Sequence, residues 1–275
     1  AVNKAVGTTM NVLNVPFADY NTRFAAMTAG NDLPDIFWVP ASSVQQLPDF
    51  LKNTCADLTQ YLTGDAVKDY PNLANIPSYS WKSTLYNNAI YGVPVGAAPV
   101  LFIFWAHGEM LDQLVLGMPR TADDLKRNMQ AVVKAGKNQF GIGTSSTFGV
   151  RGENGLFPSI FGAPNNWALS SGKLTKDFET DQYKAGVGYA RDLWASGLFH
   201  PNSINYNIIS QRGDFFTRKF LYFVDVATPS QIWDPALQQS PPVQLRSVPP
   251  FSSDGQAKPI YYFAPGYLGF TAVKK

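Results

Sequence analysis

The sequence predicts an α/β fold, and three observations carry that prediction. Residues 10–15, Met10-Asn11-Val12-Leu13-Asn14-Val15, read as a strand ended by Pro16; a helix and a second apolar run at 33–39 follow. Strand, helix, strand is the pattern of a right-handed crossover within a parallel layer. Further along, apolar runs at 100–105 and 220–226 alternate with two well-signalled helices. Finally, residues 95–105 and 234–250 read as two separate crossovers, which suggests two lobes.

Each element has its own justification. The first helix starts from Asp19 as N-cap, carries Tyr20, Phe24 and Met27 on one face, and stops at Gly30. Residues 34–39, a short apolar run between prolines, look like a buried parallel strand. Residues 41–88 are helical and irregular. Strands follow at 90–94 and 100–105. Thr121 with Asp124 three positions on is an acidic variant of the capping box, and that helix stops near Gly136. A second helix is capped near Thr180 or Asp181 and stops at Gly197. Its stripe of Tyr183, Val187, Ala190 and Trp194 assigns Trp194 to the core. Residues 144–175 are loop-rich, 220–226 is a strand after a short helix, and the Pro-rich stretch 234–250 reads as a crossover or linker. The chain closes on two short apolar runs at 260–263 and 267–270.

Composition narrows the function. Of the 275 residues 15% are charged, well below the roughly 25% usual for soluble domains. Aromatics reach 14%, with six Trp, thirteen Tyr and nineteen Phe. Flat rings in excess of what a core needs suggest binding faces. The net charge is +2, and no Lys/Arg run exceeds two residues, which argues against nucleic acid or a polybasic membrane patch. The single cysteine, Cys55, excludes an internal disulfide and a cysteine-based metal site. The longest apolar run, 97–106, is about half of what a bilayer crossing needs.

No catalytic signature emerges. His107 and His200 are isolated, and there is no Gly-x-Ser-x-Gly elbow, phosphate-binding Gly-Lys-Ser/Thr or dinucleotide fingerprint. No cofactor or metal is expected. Paired carboxylates of a glycoside hydrolase remain one alternative, and a rigid carbohydrate-binding lectin another.

Several stretches resemble, in order, the extracellular solute-binding proteins of carbohydrate ABC importers. They are Ala29-Gly30-Asn31-Asp32-Leu33-Pro34-Asp35-Ile36, then Ile90-Tyr91-Gly92-Val93-Pro94, then Met118-Pro119-Arg120-Thr121-Ala122-Asp123-Asp124-Leu125. Leu193-Trp194-Ala195-Ser196-Gly197-Leu198-Phe199-His200-Pro201 and the closing Gly266-Tyr267-Leu268-Gly269-Phe270 complete the set. Two positions depart from the family pattern. Ala106-His107-Gly108 stands where relatives usually carry Asn or Arg, a basic residue and Asp. Arg218 stands where a Gly usually precedes Lys219.

The resemblance implies a two-lobed, periplasmic-binding-protein-like fold with a hinged interdomain cleft that closes on a sugar or oligosaccharide. Lobe one would comprise 1–98 and 245–275, and lobe two 99–244. It implies a monomer that is not an enzyme, with permease subunits of an ABC transporter as partners. It further implies an extracellular location, periplasmic or lipoprotein-anchored, with a signal upstream of Ala1. Because the family's chains run longer, the first lobe is expected to be incomplete here.

A sugar site wants aromatic platforms for apolar C–H faces and planar polar groups for hydroxyls. Trp38 at the end of the 34–39 strand, Trp167 in a Gly/Asn-rich loop and Trp233 just beyond the 220–226 strand are the candidate platforms. Asp225 interrupts an apolar strand, where a carboxylate must face a partner or a cleft. Arg151, in a Gly-rich loop, could clamp a hydroxyl pair. Tyr262 and Tyr267, on the returning segment, complete the candidates.

Overall fold

A computed structural model describes residues 2–97, 100, 102–145, 149, 155–260 and 267–275. Its strands are β1 (Ile36–Val39), β2 (Leu85–Tyr86), β3 (Ala89–Ile90), β4 (Val93–Gly96), β5 (Phe102–His107) and β6 (Phe140–Ile142). They continue with β7 (Trp167–Ser170), β8 (Lys173–Lys176), β9 (Phe220–Val226), β10 (Leu245–Ser247) and β11 (Tyr267–Val273). The chain falls into two units, one of Ala1–Ala97 with Pro265–Lys275 and the other of Ala98–Ala264.

Unit one is built on a sheet of order β1-β11-β4. The run at 34–39 does form a strand, but β1 pairs antiparallel with β11 from the far end of the chain, with Trp38 opposite Thr271. The expected parallel pairing fails because an apolar run specifies a strand, not its partner. Residues 10–15, expected to be a strand, have no regular structure, and Val12 is 78% exposed. Among the described residues no strand pairs with them, and an unpaired run gains nothing from β-propensity.

The helix Tyr20–Ala29 ends at Gly30 and buries Phe24 and Met27 against Phe37, Leu51 and Phe270. Asp19 does not cap it: a short 3-10 turn, Phe17–Asp19, leads in, and the carboxylate makes no cap hydrogen bond. Cys55 sits in the same core, where burial, opposed by the Lys275 charge, pushes its thiol up to about 11. Such a thiol is inert at neutral pH.

Unit two holds a sheet of order β10-β5-β9-β6, in which β5 and β9 are antiparallel and β6 and β9 parallel. Strand alternation sends Phe104 and Val224 to one core, with Leu125, Met129, Phe157 and Leu193. Trp105 and Phe223 enter a second core, with Phe215 and Ile232. Both expected caps form. Thr121 Oγ1 accepts from Asp124 N at 3.0 Å, and Thr180 Oγ1 from Tyr183 N at 3.2 Å.

The stripe on Asp181–Ala195 is rotated from the expected one. Gly186, Ala190 and Leu193 are buried, whereas Trp194 is 41% exposed and rests against Phe199. The cause is Gly186: a Cβ there would lie 2.6 Å from Pro158 Cα, so the helix approaches its neighbour backbone to backbone along that line. Residues 245–264, expected in lobe one, group with unit two. There β10 pairs with β5, Val248 N donates to Phe104 O, and Ser253 N donates to Ile160 O. A linker composition concealed a short edge strand.

Candidate ligand-binding surface

In open α/β sheets ligands collect beyond the carboxyl ends of the strands. Within unit two β6 and β9 run in register, Ile142 beside Tyr222, so Gly143 and Val226 emerge from one sheet edge. The helix Ile208–Phe216 crosses beside this edge. Its Gln211 donates to Gly143 O at 3.0 Å. Its Arg212 forks onto Asp225, with Nη2 at 2.9 Å from Oδ1, and donates to Gln231 Oε1 at 2.7 Å. Asp225 also accepts from Val226 N at 2.7 Å.

Asp225 is therefore fully buried and takes the partner alternative open to it: its charge is matched by Arg212, which is itself 15% exposed. This pair and Gln231 form a planar polar rim at the strand end. Trp233 follows on the turn Pro229–Trp233, 42% exposed and edge-on to buried Trp105 at 5.4 Å. The local signals for Arg212 and Gln231 were weak. They lie on a helix and a turn that only the sheet brings to Asp225.

The other candidates fall elsewhere. Trp167 opens β7 in the hairpin β7–β8, opposite Lys176, and is 56% exposed with the Lys176 ammonium 5.4 Å from its ring. Trp38, in unit one, is half-buried. Tyr20 lies edge-on at 5.2 Å and donates its hydroxyl to Trp38 O at 2.7 Å. Gly269, at φ 114°, packs under the indole, where an added Cβ would meet Nε1 at 2.5 Å. Arg151 and Tyr262 lie outside the described residues, and Tyr267 opens β11 opposite Gly96 of β4.

The two departures from the family pattern meet at one carboxylate. His107 is fully buried at the end of β5, with Nδ1 3.2 Å from Glu109 Oε1 and Nε2 donating to Phe215 O at 2.6 Å. Arg218 holds the left-handed backbone (φ 65°) that favours glycine, and its Nε donates to Glu109 Oε1 at 2.9 Å and Nη2 to Pro241 O at 2.6 Å. Burial works to raise the Glu109 carboxyl, but the His107 hydrogen bond and charge and the Gln244 N–H hold it at about 2. Both side chains are spent inside unit two.

A cavity of about 230 Å³ opens on the other face of the same sheet edge. Phe102, Phe104, Leu156, Val224, Val248 and Phe251 are among its walls, and no wall residue is charged.

Comparison with known proteins decides the family. The bacterial extracellular solute-binding proteins match residues 1–237. This chain belongs to that family.

Two relatives are informative. The polygalacturonan/rhamnogalacturonan-binding protein YtcQ of Bacillus subtilis is 27% identical over 213 residues, 73% of this chain and 41% of that one. The fructooligosaccharide ABC transporter substrate-binding protein FusA of Streptococcus pneumoniae is 25% identical over 239 residues, 77% of this chain and 44% of that one. This chain thus spans less than half the length of these curated relatives.

Among solved structures, FusA with fructo-nystose superposes with a TM-score of 0.70 at 18% identity, covering 100% of this chain and 58% of the other. A solute-binding protein of Thermotoga lettingae with α-D-tagatose gives 0.73 at 16% identity, covering 100% and 67%. The fold is that of the two-lobed solute-binding proteins, which are binding proteins and not enzymes.

Proposed function

We propose that this solute-binding protein takes up a sugar or oligosaccharide and hands it to the permease subunits of an ABC importer. The observation that carries the reading is the strand-end rim of unit two: an open tryptophan, Trp233, beside the Asp225–Arg212–Gln231 network. An aromatic face with planar hydrogen-bonding groups alongside is the chemistry a saccharide requires. The saccharides named for the relatives, polygalacturonan, rhamnogalacturonan and fructooligosaccharides, support the same class.

Trp38, Trp167, Arg151, Tyr262 and Tyr267 belong to this proposal as further contacts, and the hinge closure and a monomeric state belong to it too. So does a lipoprotein anchor, supported by a relative from Bacillus subtilis named Lipoprotein LipO, 25% identical over 212 residues. Among the described residues no helix is long and apolar enough to cross a membrane.

The test is a thermal-shift screen against kestose, laminaribiose, β-1,6-galactobiose and oligogalacturonates, because a ligand held only by the native state raises its melting temperature. Calorimetric titration of the best hit should then show saturable binding. A protein indifferent to the whole panel would refute the proposal. Small-angle scattering that contracts on ligand addition would register closure.

A further inference from the structure

We infer that the apolar cavity of unit two receives a ring-bearing substituent of the ligand, so that the protein prefers aryl glycosides over unsubstituted sugars. The inference rests on the saccharide reading above and adds the ligand's chemical class. It follows from what the cavity offers and where it opens.

The walls offer almost nothing to a sugar. Phe102, Phe104, Leu156, Val224, Val248 and Phe251 present carbon, and Pro249 and Pro250 close one side. Ser159 and Ser247 also line the cavity; the Ser159 hydroxyl already donates to Gly155 O at 2.6 Å, and Ser247 is an exposed residue. A sugar ring placed there would forfeit most of its hydroxyls' hydrogen bonds to water without replacement. A benzene-sized group has no such penalty. An engineered apolar cavity of about 150 Å³ binds benzene, and the volume here is about 230 Å³.

Position joins the cavity to the rim. Val224 lines the cavity, and Asp225, the next residue of β9, carries the polar network on the opposite face of the sheet. Phe102 lines the cavity and pairs with Val226, where β9 ends. In this proposal the ring of a ligand lying over the strand end sits between Phe102 and Leu156, and its glycone extends past Val226 towards the other face.

The experiment compares methyl and 4-nitrophenyl β-D-galactopyranosides, and the corresponding xylopyranosides, by calorimetry on the 275-residue protein. The aryl member of a bound pair should be tighter by about tenfold or more, the gain expected from withdrawing one ring from water. Leu156→Trp fills the cavity mouth from a half-buried position, and should erase that increment while leaving the methyl glycoside's affinity unchanged. Val248→Phe, a smaller intrusion from the opposite wall, serves the same purpose if the first variant folds poorly.

Equal affinity for aryl and methyl glycosides overturns the inference and leaves the saccharide reading intact. An increment that survives both filled variants also overturns it, since the ring then sits elsewhere. If 4-nitrophenol raises the melting temperature while no glycoside binds, the saccharide reading fails and this inference falls with it.

Discussion

The two units solve the same packing problem with different resources. Unit one relies on a small antiparallel sheet whose central strand, β11, arrives from the end of the chain, and on a largely apolar core in which the buried polar residues, such as Ser83 and Thr84, are uncharged. Unit two adds matched polar groups to two apolar cores: Arg212 on Asp225, and Arg218, with a hydrogen bond from His107, on Glu109. The contrast is between a unit held by shape and one also held by matched polar groups. A shape-held unit fails when a close approach is blocked. A charge-matched unit fails when one partner goes, because the other is left buried and unpaired.

The largest expected effect tests the second half of that contrast. Arg212→Ala strands the fully buried Asp225 carboxylate and should cost about 3–5 kcal/mol in urea unfolding. Hydrogen exchange should show the loss in unit-two peptides. Equal loss of protection throughout unit one would break the comparison.

Gly269→Ala is the matching test of unit one. The residue combines φ 114° with an indole in the way of any Cβ, so a loss of about 2 kcal/mol is expected, in unit-one peptides. A neutral result would mean that Trp38 moves aside freely.

Acid should separate the units next. Glu109 titrates at about 2 in the folded protein and near 4.5 when unfolded, so its stabilisation is complete above pH 4.5 and lost as pH falls towards 2. About 2 kcal/mol should disappear from unit two over that window, and Glu109→Gln should flatten the slope. Burial, outweighing the pull of Asp214, also holds His200 below its ordinary value. Its neutral form is the one that fits the fold, so stability should begin to fall as pH drops below about 6.5. His200→Gln should remove that first, shallower decline.

A smaller effect calibrates local signals: Thr121→Ala, which deletes a cap in unit two, should cost about 1 kcal/mol in the same unfolding assay. Smallest for stability are Trp233→Ala, about 1 kcal/mol because the ring packs edge-on to Trp105, and Trp167→Ala, within about 0.5 kcal/mol because that ring is more than half exposed. If either is a saccharide platform, its affinity in titration should still fall by about 2 kcal/mol or more. Unchanged affinity in both would remove them from the ligand surface.

What the sequence determined by itself was local or ordered along the chain. Thr121 and Thr180 are caps because a hydroxyl three residues before an amide can reach it without help from the rest of the fold. The strand Phe220–Val226 was readable because seven largely apolar residues leave few other uses for the backbone. The ordered motifs placed the chain in its family, although neither departure could be interpreted until Glu109 was seen between them.

The tertiary structure alone decided everything that depends on partners distant in sequence. An apolar run at 34–39 cannot say that its neighbour will be β11, nor that the pairing will be antiparallel. The run at 10–15 cannot say that no strand will pair with it. Trp194 left the expected stripe because Gly186 turned the helix towards Pro158. Asp225 became a rim residue rather than a free ligand because Arg212, thirteen positions earlier, is carried to it by a helix packed on the sheet. Hydrogen bonds and ion pairs are satisfied across space, so a sequence shows which groups need a partner and the fold selects which one each receives.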